Sequence, residues 1–501
     1  MRKSVVILLV ALFAVTALVS CKNQPEVVGH IITFNANGGS GTMEKQVVVH
    51  NTATSLNKNT FSLYRNCFLW WSTAPDGSGT KYNDGGVIKL TSDITLYAQW
   101  EYLEDVVLAN GVTDWFGGNF YTLTGEVTMS GRINVRGDVV LTLTDGCILN
   151  AQKGIAVCDG SRLTIETSGT GTGIINATGT DDNAAIGGNR DVGTGTIIIN
   201  GGVITASGGD CSAAIGGGQN GNGGTIVINN GTITANGNND GAGIGGGFQG
   251  DGGNITINGG VVNATAGKYS AAIGGGDAGN GGTIVINDGT ITANGNNDGA
   301  GIGGGNGGDG GEITINDGNI TASGGKYSAA IGGGSGGNGG IIIMNGGTVA
   351  ANGNYNGAGI GGGDNGDGGD ITINDGDITV TGGDYASAIG GGQYKNGGTV
   401  EINGGVLSAT AGTHGAAIGG GYNGDGGDVT INGGSLHLGG GVSWDDPCNG
   451  IGHGTGNTDD GTLTLGTDVS LLVSADDESW TAYNCSSDNR ARYMKTPDNN
   501  T

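Results

Sequence analysis

Tyr269, Tyr327 and Tyr385 recur at equal intervals along the chain, each among Asp, Asn and Gly. A tyrosine ring can stack on a sugar while its hydroxyl forms hydrogen bonds. These three are therefore candidate ligand-binding residues, with a glycan or a host surface as the expected partner. Asp240, Asp298 and Asn356 fill the same column midway between them. The plain alternative is that all six are solvent-facing turn residues copied with a repeat. Loops such as Asp364-Asn365-Gly366-Asp367-Gly368-Gly369-Asp370 carry hard oxygen donors of the kind calcium takes. Exposed acidic turns explain them as simply, so no cofactor and no metal site is expected, with calcium kept as the alternative. Catalysis has weaker support. A polysaccharide lyase needs bases to neutralise a uronate, yet between Ala184 and Gly440 the only bases are Arg190, Lys268, Lys326 and Lys395, besides His414 and His437. A glycoside hydrolase needs paired carboxyls, one with a raised pKa. Asp is plentiful but recurs in register, and a catalytic centre should break the repeat. No catalytic residue is expected.

The elements that must position these side chains are written in the period. Nine isoleucines follow one another at a constant spacing of 29, at Ile186, Ile215, Ile244, Ile273, Ile302, Ile331, Ile360, Ile389 and Ile418. Asn200, Asn229, Asn258, Asn287, Asn316, Asn345, Asn374, Asn403 and Asn432 repeat with the same period, and a Gly follows each at the second position after it. A fixed period of this length marks a solenoid. Before each Asn, positions −1 and −3 are apolar, as Ile226 and Ile228 before Asn229, which is the alternating period of a strand. A turn, a second short strand such as Thr232–Ala235 and a third element, Ala-Ala-Ile or Gly-Ala-Gly-Ile, complete the unit. Three short strands and three turns predict a mainly β chain: a parallel β-helix of about ten coils. No coil buries its own apolar face, so stacking at about 4.8 Å must do so. The Asn column should then form a buried ladder of side-chain amides. A superperiod of two repeats, with Asp251, Asp309, Asp367 and Asp425 alternating with Asn222, Asn280, Asn338 and Asn396, reads as duplication of a two-coil unit.

Composition agrees. Of 501 residues, 115 are Gly and only 4 are Pro. Gly does not recur every third residue, so collagen is excluded. The six Trp lie outside the repeat, so Ile, Val and Ala must pack it. The net charge is −26, which repels nucleic acid and anionic lipid surfaces. Six cysteines beyond Cys21 follow no zinc spacing; Cys147 and Cys158 are close enough in sequence to pair.

At the N-terminus, Met1-Arg2-Lys3 and the apolar stretch Val5 to Val15 form a signal peptide too short for a comfortable span. It runs into Leu18-Val19-Ser20-Cys21, which resembles the lipobox of bacterial lipoproteins. That resemblance implies cleavage before Cys21, acylation of Cys21 and a protein exported and anchored at the bacterial cell envelope or surface. Residues 21–30 would be a tether. Residues 31–100 alternate apolar and polar positions in short strands. Phe34-Asn35-Ala36-Asn37-Gly38-Gly39, the segment from Trp71-Ser72-Thr73 to Tyr82, and Leu96-Tyr97-Ala98-Gln99-Trp100 resemble the Listeria–Bacteroides repeat, also called the internalin B-repeat. It implies one small β-grasp-like module of a bacterial surface protein, without catalysis. Asn66-Cys67-Phe68-Leu69-Trp70-Trp71 departs from the family pattern. Residues 101–183 read as irregular first coils with a cap near Trp115 and Phe116, 184–465 as the β-helix, and 466–501 as a C-terminal cap and polar tail. Ile451 comes later after Ile418 than the period allows, so a small insertion is expected at Trp444–Cys448. The expected function is a lipid-anchored structural or adhesin-like surface protein that binds carbohydrate; the alternative is a β-helical polysaccharide lyase or glycoside hydrolase.

Overall fold

A computed structural model describes residues 29–63, 66–102, 105–441, 450–474 and 481–483. The signal peptide, Cys21 and the expected insertion at Trp444–Cys448 lie outside the described residues. The chain divides into two compact units, Met1–Leu103 and Glu104–Thr501.

The first unit is a five-stranded sheet in the order Gln46–Val49, Gly29–Asn35, Ile94–Tyr102, Asn66–Ser72, Lys81–Tyr82. Gly29–Asn35 runs parallel to Ile94–Tyr102, and the other neighbours are antiparallel. Alternation along these strands buries Ile32, Phe34, Trp71, Leu96 and Ala98 on one face. The stretch that departs from the family pattern contains a bulge between Phe68 and Trp70. One extra residue there brings Phe68 onto the same core as Trp71, three positions on, while alternation turns Trp70 to the other face. Trp71 is fully buried against Phe34, Phe61 and Phe68, while Trp70 carries the Lys81 ammonium over its ring at 3.8 Å.

In the second unit, the two longer strands of each coil stack parallel on their equivalents in the next, as Thr225–Ile228 on Asn254–Ile257 and Thr232–Asn236 on Val261–Thr265. The third, two-residue elements, with three slightly longer strands of the first coils, form a 13-stranded parallel sheet that contains all nine repeat isoleucines. Each is wholly buried, as are Ile226, Ile228, Ile233 and Ala235. The solenoid is therefore packed by a single column per inward position, repeated along its length. It starts with shorter coils: Val135 pairs with Trp115 and Ile155 with Ile133. The coil then widens so that Ile186 pairs with Ile155. At that seam the buried guanidinium of Arg132 donates to the carbonyls of Lys153, Ala184, Gly187 and Gly188 and to Asn189 Oδ1. Burial lowers its pKa to about 10, opposed by the nearby Cys158.

At the N-terminal end Trp115 is fully buried and stacks on Tyr121, with centroids 5.5 Å apart. Its neighbour Phe116 is exposed. At the other end Ile451 pairs with Ile418. Thr462–Ser474 extends past residue 465 as a further parallel strand, and Thr481–Tyr483 pairs with it antiparallel. Cys147, buried, and Cys158 are both free thiols, so the pairing their spacing allowed is not made.

Glycine at the third element is obligatory. Gly303 holds φ near +135°, and a Cβ on it would lie 2.0 Å from the carbonyl oxygen of Gly332 in the next coil. Only a hydrogen allows that approach.

The asparagine column forms an unbroken ladder. From Asn229 to Asn432, each Nδ2 donates to Oδ1 of the Asn one coil earlier, at 2.6–2.9 Å. The burial expected of it is not found: the column lies at a corner of the coil, with Asn287 and Asn316 half-exposed and the other seven exposed. Positions −1 and −3 face inward, so the alternation of the strand turns the Asn outward. Its order comes from its own kind above and below.

Candidate functional site

Two columns run side by side along one edge of the solenoid. The first contains Cys211, Asp240, Tyr269, Asp298, Tyr327, Asn356, Tyr385 and His414. The second contains Phe248, Asp277, Asn306, Ser335, Asp364, Gln393 and Tyr422. Backbone hydrogen bonds lock them together: Asn306 N donates to Tyr269 O, Asp364 N to Tyr327 O and Tyr422 N to Tyr385 O, at 2.7–2.9 Å. The edge is thus a fixed ridge of alternating aromatic, carboxylate and amide groups.

The three candidate tyrosines do not behave alike. Tyr327 and Tyr385 join one aromatic cluster through Tyr355, whose ring centroid is 6.3 Å from the first and 5.3 Å from the second, edge-on to both. Tyr385 also stacks on His414 at 4.8 Å and meets Tyr422 edge-on at 5.9 Å, and Tyr422 reaches Tyr394 at 5.7 Å. Tyr269 has the Lys268 ammonium 4.7 Å from its ring centre. Lys326 takes the same position over Tyr327 and Tyr355, at 4.9 and 5.1 Å.

Sequence reasoning missed Tyr355, Tyr394 and Tyr422, because it followed one column where the cluster draws on four, and it missed His414 because it followed only the tyrosines of that column. A signal was present. Tyr355 and Tyr394 adopt positive φ, +35° and +65°. In equivalent coils the first position is held at positive φ by Asn239 and Asn297, and the second by Asn220, Gln249, Ala278, Asn365 and Asn423. Asn tolerates that conformation and a bulky ring does not. Tyr355 therefore replaces the residue type that the backbone favours, whereas the position of Tyr394 also takes Gln and Ala.

Three carboxylates along the ridge resist ionisation. Burial raises the pKa of Asp277, Asp298 and Asp364, opposed by hydrogen bonds from Asn306, Asn297 and Asn356 respectively. Burial and then the Asp240 carboxylate push the Cys211 thiol up to about 11, and its Sγ lies 3.6 Å from Asp240 Oδ2. Tyr385 is raised, first by Tyr355. Asn356 is only 6% exposed.

The carboxylates of the loop considered for calcium diverge. Asp364 belongs to the ridge. Asp367 Oδ1 accepts from Asn396 N at 3.1 Å, and Oδ2 pairs with Lys395 at 3.6 Å. Asp370 is exposed at the start of Asp370–Ile373. Among the described residues no three His, Cys, Asp or Glu side chains converge as a metal site would require. Asp367 belongs instead to a second ladder, Asn222 through Asp425, in which each Oδ1 accepts the backbone N–H of the same position one coil on, at 2.8–3.1 Å. Alternation of Asp with Asn keeps its carboxylates two coils apart, about 10 Å.

Two polar grooves lie elsewhere. The larger, about 530 Å³, is lined by Asp138, Asp159, Arg162, Asn222 and Asn254 among others, and has no aromatic ring in its wall.

The fold thus defines a parallel β-solenoid with an aromatic and acidic ridge, preceded in the chain by a small β-sheet module. Residues 30–99 match the family model of the Listeria-Bacteroides repeat domain. Residues 197–219, 226–248, 255–277, 284–306, 313–335, 342–364 and 371–393 match the beta helix repeat. No curated protein and no solved structure matches the chain.

Proposed function

We propose that the protein is a cell-surface, adhesin-like solenoid that binds carbohydrate along the ridge from Tyr327 to Tyr422. The observation that carries this is the placement of Tyr355 at positive φ, where the equivalent coils that share that conformation use Asn239 and Asn297. Strain of this kind costs on the order of 1 kcal/mol per residue and calls for a functional reason. Ring faces beside carboxylate and amide groups are what sugar recognition uses: apolar faces for stacking, polar groups for orientation. Lipid attachment at Cys21 and display at the bacterial envelope complete the reading and rest on the lipobox-like Leu18-Val19-Ser20-Cys21.

A glycan array probed with the full-length protein tests the ridge. Binding to one glycan class that is lost in Tyr385→Ala is expected; binding unaffected by that change would refute the assignment. Palmitate labelling that disappears in Cys21→Ala is the matching test for the anchor.

A second reading, glycoside hydrolysis, draws on the raised pKa values of Asp277, Asp298 and Asp364. A raised carboxyl is what a general acid requires. These three, however, sit at positions that recur with the repeat. Release of reducing sugar that is abolished by Asp277→Asn, Asp298→Asn or Asp364→Asn would favour hydrolysis over binding.

A further inference from the structure

Asn356 stands in the column position between Tyr327 and Tyr385, one coil from each. It is buried, with 6% of its surface exposed, and it is hydrogen-bonded to the Asp364 carboxylate. Oδ1 of Asn356 and Oδ1 of Asp364 are both buried and, among the described residues, neither has a donor. Two adjacent orphaned acceptors are costly, because buried oxygens in proteins are almost always paired. Both can only accept while Asp364 is ionised. A group that satisfies both must therefore donate.

The surroundings select its charge. Tyr355 brings the rings of Tyr327 and Tyr385, the column neighbours of Asn356, into one cluster, and aromatic faces attract cations. The protein's own Lys326 ammonium already sits over the rings of Tyr327 and Tyr355. In the column of Lys326 the next positions are Tyr355, Asp384 and Thr413, so no lysine of that column serves Tyr385. Asp298 and Asp384 add negative charge along the same edge, in a chain of net charge −26. A hydroxyl brings one proton for two acceptors; an ammonium brings three protons and a compensating charge.

We infer that the Asn356–Asp364 acceptor pair takes a protonated primary amine, and that the glycan bound by the ridge is an amino sugar with its amine free. This rests on the ridge being a glycan-binding surface. Uronates are repelled by the same carboxylates, and N-acetylated sugars lose the charge and two of the three donors.

Calorimetric titration of the full-length protein with a glucosamine tetramer, its fully N-acetylated form and a galacturonate tetramer tests this without relying on a variant. The glucosamine tetramer should bind at least about tenfold more tightly than the acetylated one, a difference of about 1.4 kcal/mol. The galacturonate tetramer should not bind. Asp364→Asn, nearly isosteric, should remove the preference. Equal affinity for the first two tetramers, or a preference unchanged in Asp364→Asn, overturns the inference. If the acetylated tetramer binds as well and Tyr385→Ala abolishes it, the glycan-binding ridge survives and only the amine assignment falls. If no tetramer binds and the array is also blank, both readings fall together.

Discussion

Tyr355 lies edge-on between Tyr327 and Tyr385, 5.3 Å from the latter, although it belongs to a different column of the repeat. The contact exists because the backbone at residue 355 turns through positive φ, as it does at Asn239 and Asn297. Stability and binding should therefore respond to it in opposite senses. Tyr355→Asn restores the residue type suited to that conformation and should stabilise the solenoid by about 0.5–1 kcal/mol. The same change removes one ring of the cluster and should weaken glycan binding about tenfold, in line with one lost aromatic contact. Chemical denaturation and titration on one sample check both. A variant that is less stable than wild type would contradict the assignment of strain at this residue.

The asparagine ladder gives a second prediction, scaled down by its exposure. Asn316 Nδ2 donates to Asn287 Oδ1, and its Oδ1 accepts from Asn345, both at 2.7 Å. Asn316→Ala removes both bonds where water can replace them, so the cost should be about 0.5–1 kcal/mol. Asn316→Asp keeps the acceptor but sets a carboxylate against the oxygen of Asn287. It should cost more than Ala at neutral pH and recover on acidification, when the carboxyl regains a proton to donate. Thr314→Ala, on the strand that ends just before Asn316 and outside the ladder, should stay within about 0.5 kcal/mol. Denaturant midpoints at two pH values distinguish the three.

The contrast between these sites shows what the sequence made legible. Ile302 and Asn316 recur once per coil because each must meet its own copy in the next, and stacking repeats that constraint along the whole solenoid. Period and position therefore reveal the solenoid, the inward isoleucines and the existence of the ladder. The period does not state how far a column lies from water, and so the burial expected of Asn316 does not hold. Nor does it report contacts between columns. Tyr355 and Tyr422 meet Tyr385 at offsets that are not multiples of the repeat, which a search in the period does not sample. Adjacency in the chain groups Asp364 with Asp367 and Asp370. The left-handed residue Asn365 turns the chain immediately after Asp364, and the three carboxylates go to different places.

Two glycines close together in the chain should differ sharply. Gly303 lies at φ +135° with the Gly332 carbonyl 2.0 Å from any added Cβ, whereas Gly307 lies at φ +74° with open space around it. Gly303→Ala combines backbone strain with a clash against a neighbouring main chain, and should cost about 3 kcal/mol or more. Gly307→Asn places at that turn the residue found at positive φ in Asn220, Asn365 and Asn423; it should shift stability by no more than about 0.5 kcal/mol. Because solenoid coils couple to nearest neighbours, hydrogen exchange in Gly303→Ala should quicken first in the coils carrying Ile273, Ile302 and Ile331. Uniform acceleration along the whole solenoid would contradict that locality.

The raised carboxyls of the ridge set the pH dependence. Burial, with repulsion from Asp240 and Asp298, raises the pKa of Asp277, and the hydrogen bond from Asn306 opposes it. A carboxyl whose pKa is higher folded than unfolded binds its proton more tightly in the native state. Its ionised form therefore costs stability above the folded pKa, and that cost disappears as pH falls through the folded value toward the unfolded one. Asp277→Asn removes the charge while leaving an oxygen to accept from Asn306 Nδ2, a bond of 3.0 Å. It should stabilise the protein at pH 7 by about 0.5 kcal/mol, the modest size expected of a half-exposed group. The gain should shrink on acidification and vanish near pH 4, roughly where an unfolded aspartate takes up its proton. Other carboxylates titrate over the same range in both proteins, so the difference between the two melting curves isolates this residue. A gain that persisted unchanged at pH 4 would show that the new side chain acts through packing instead of charge.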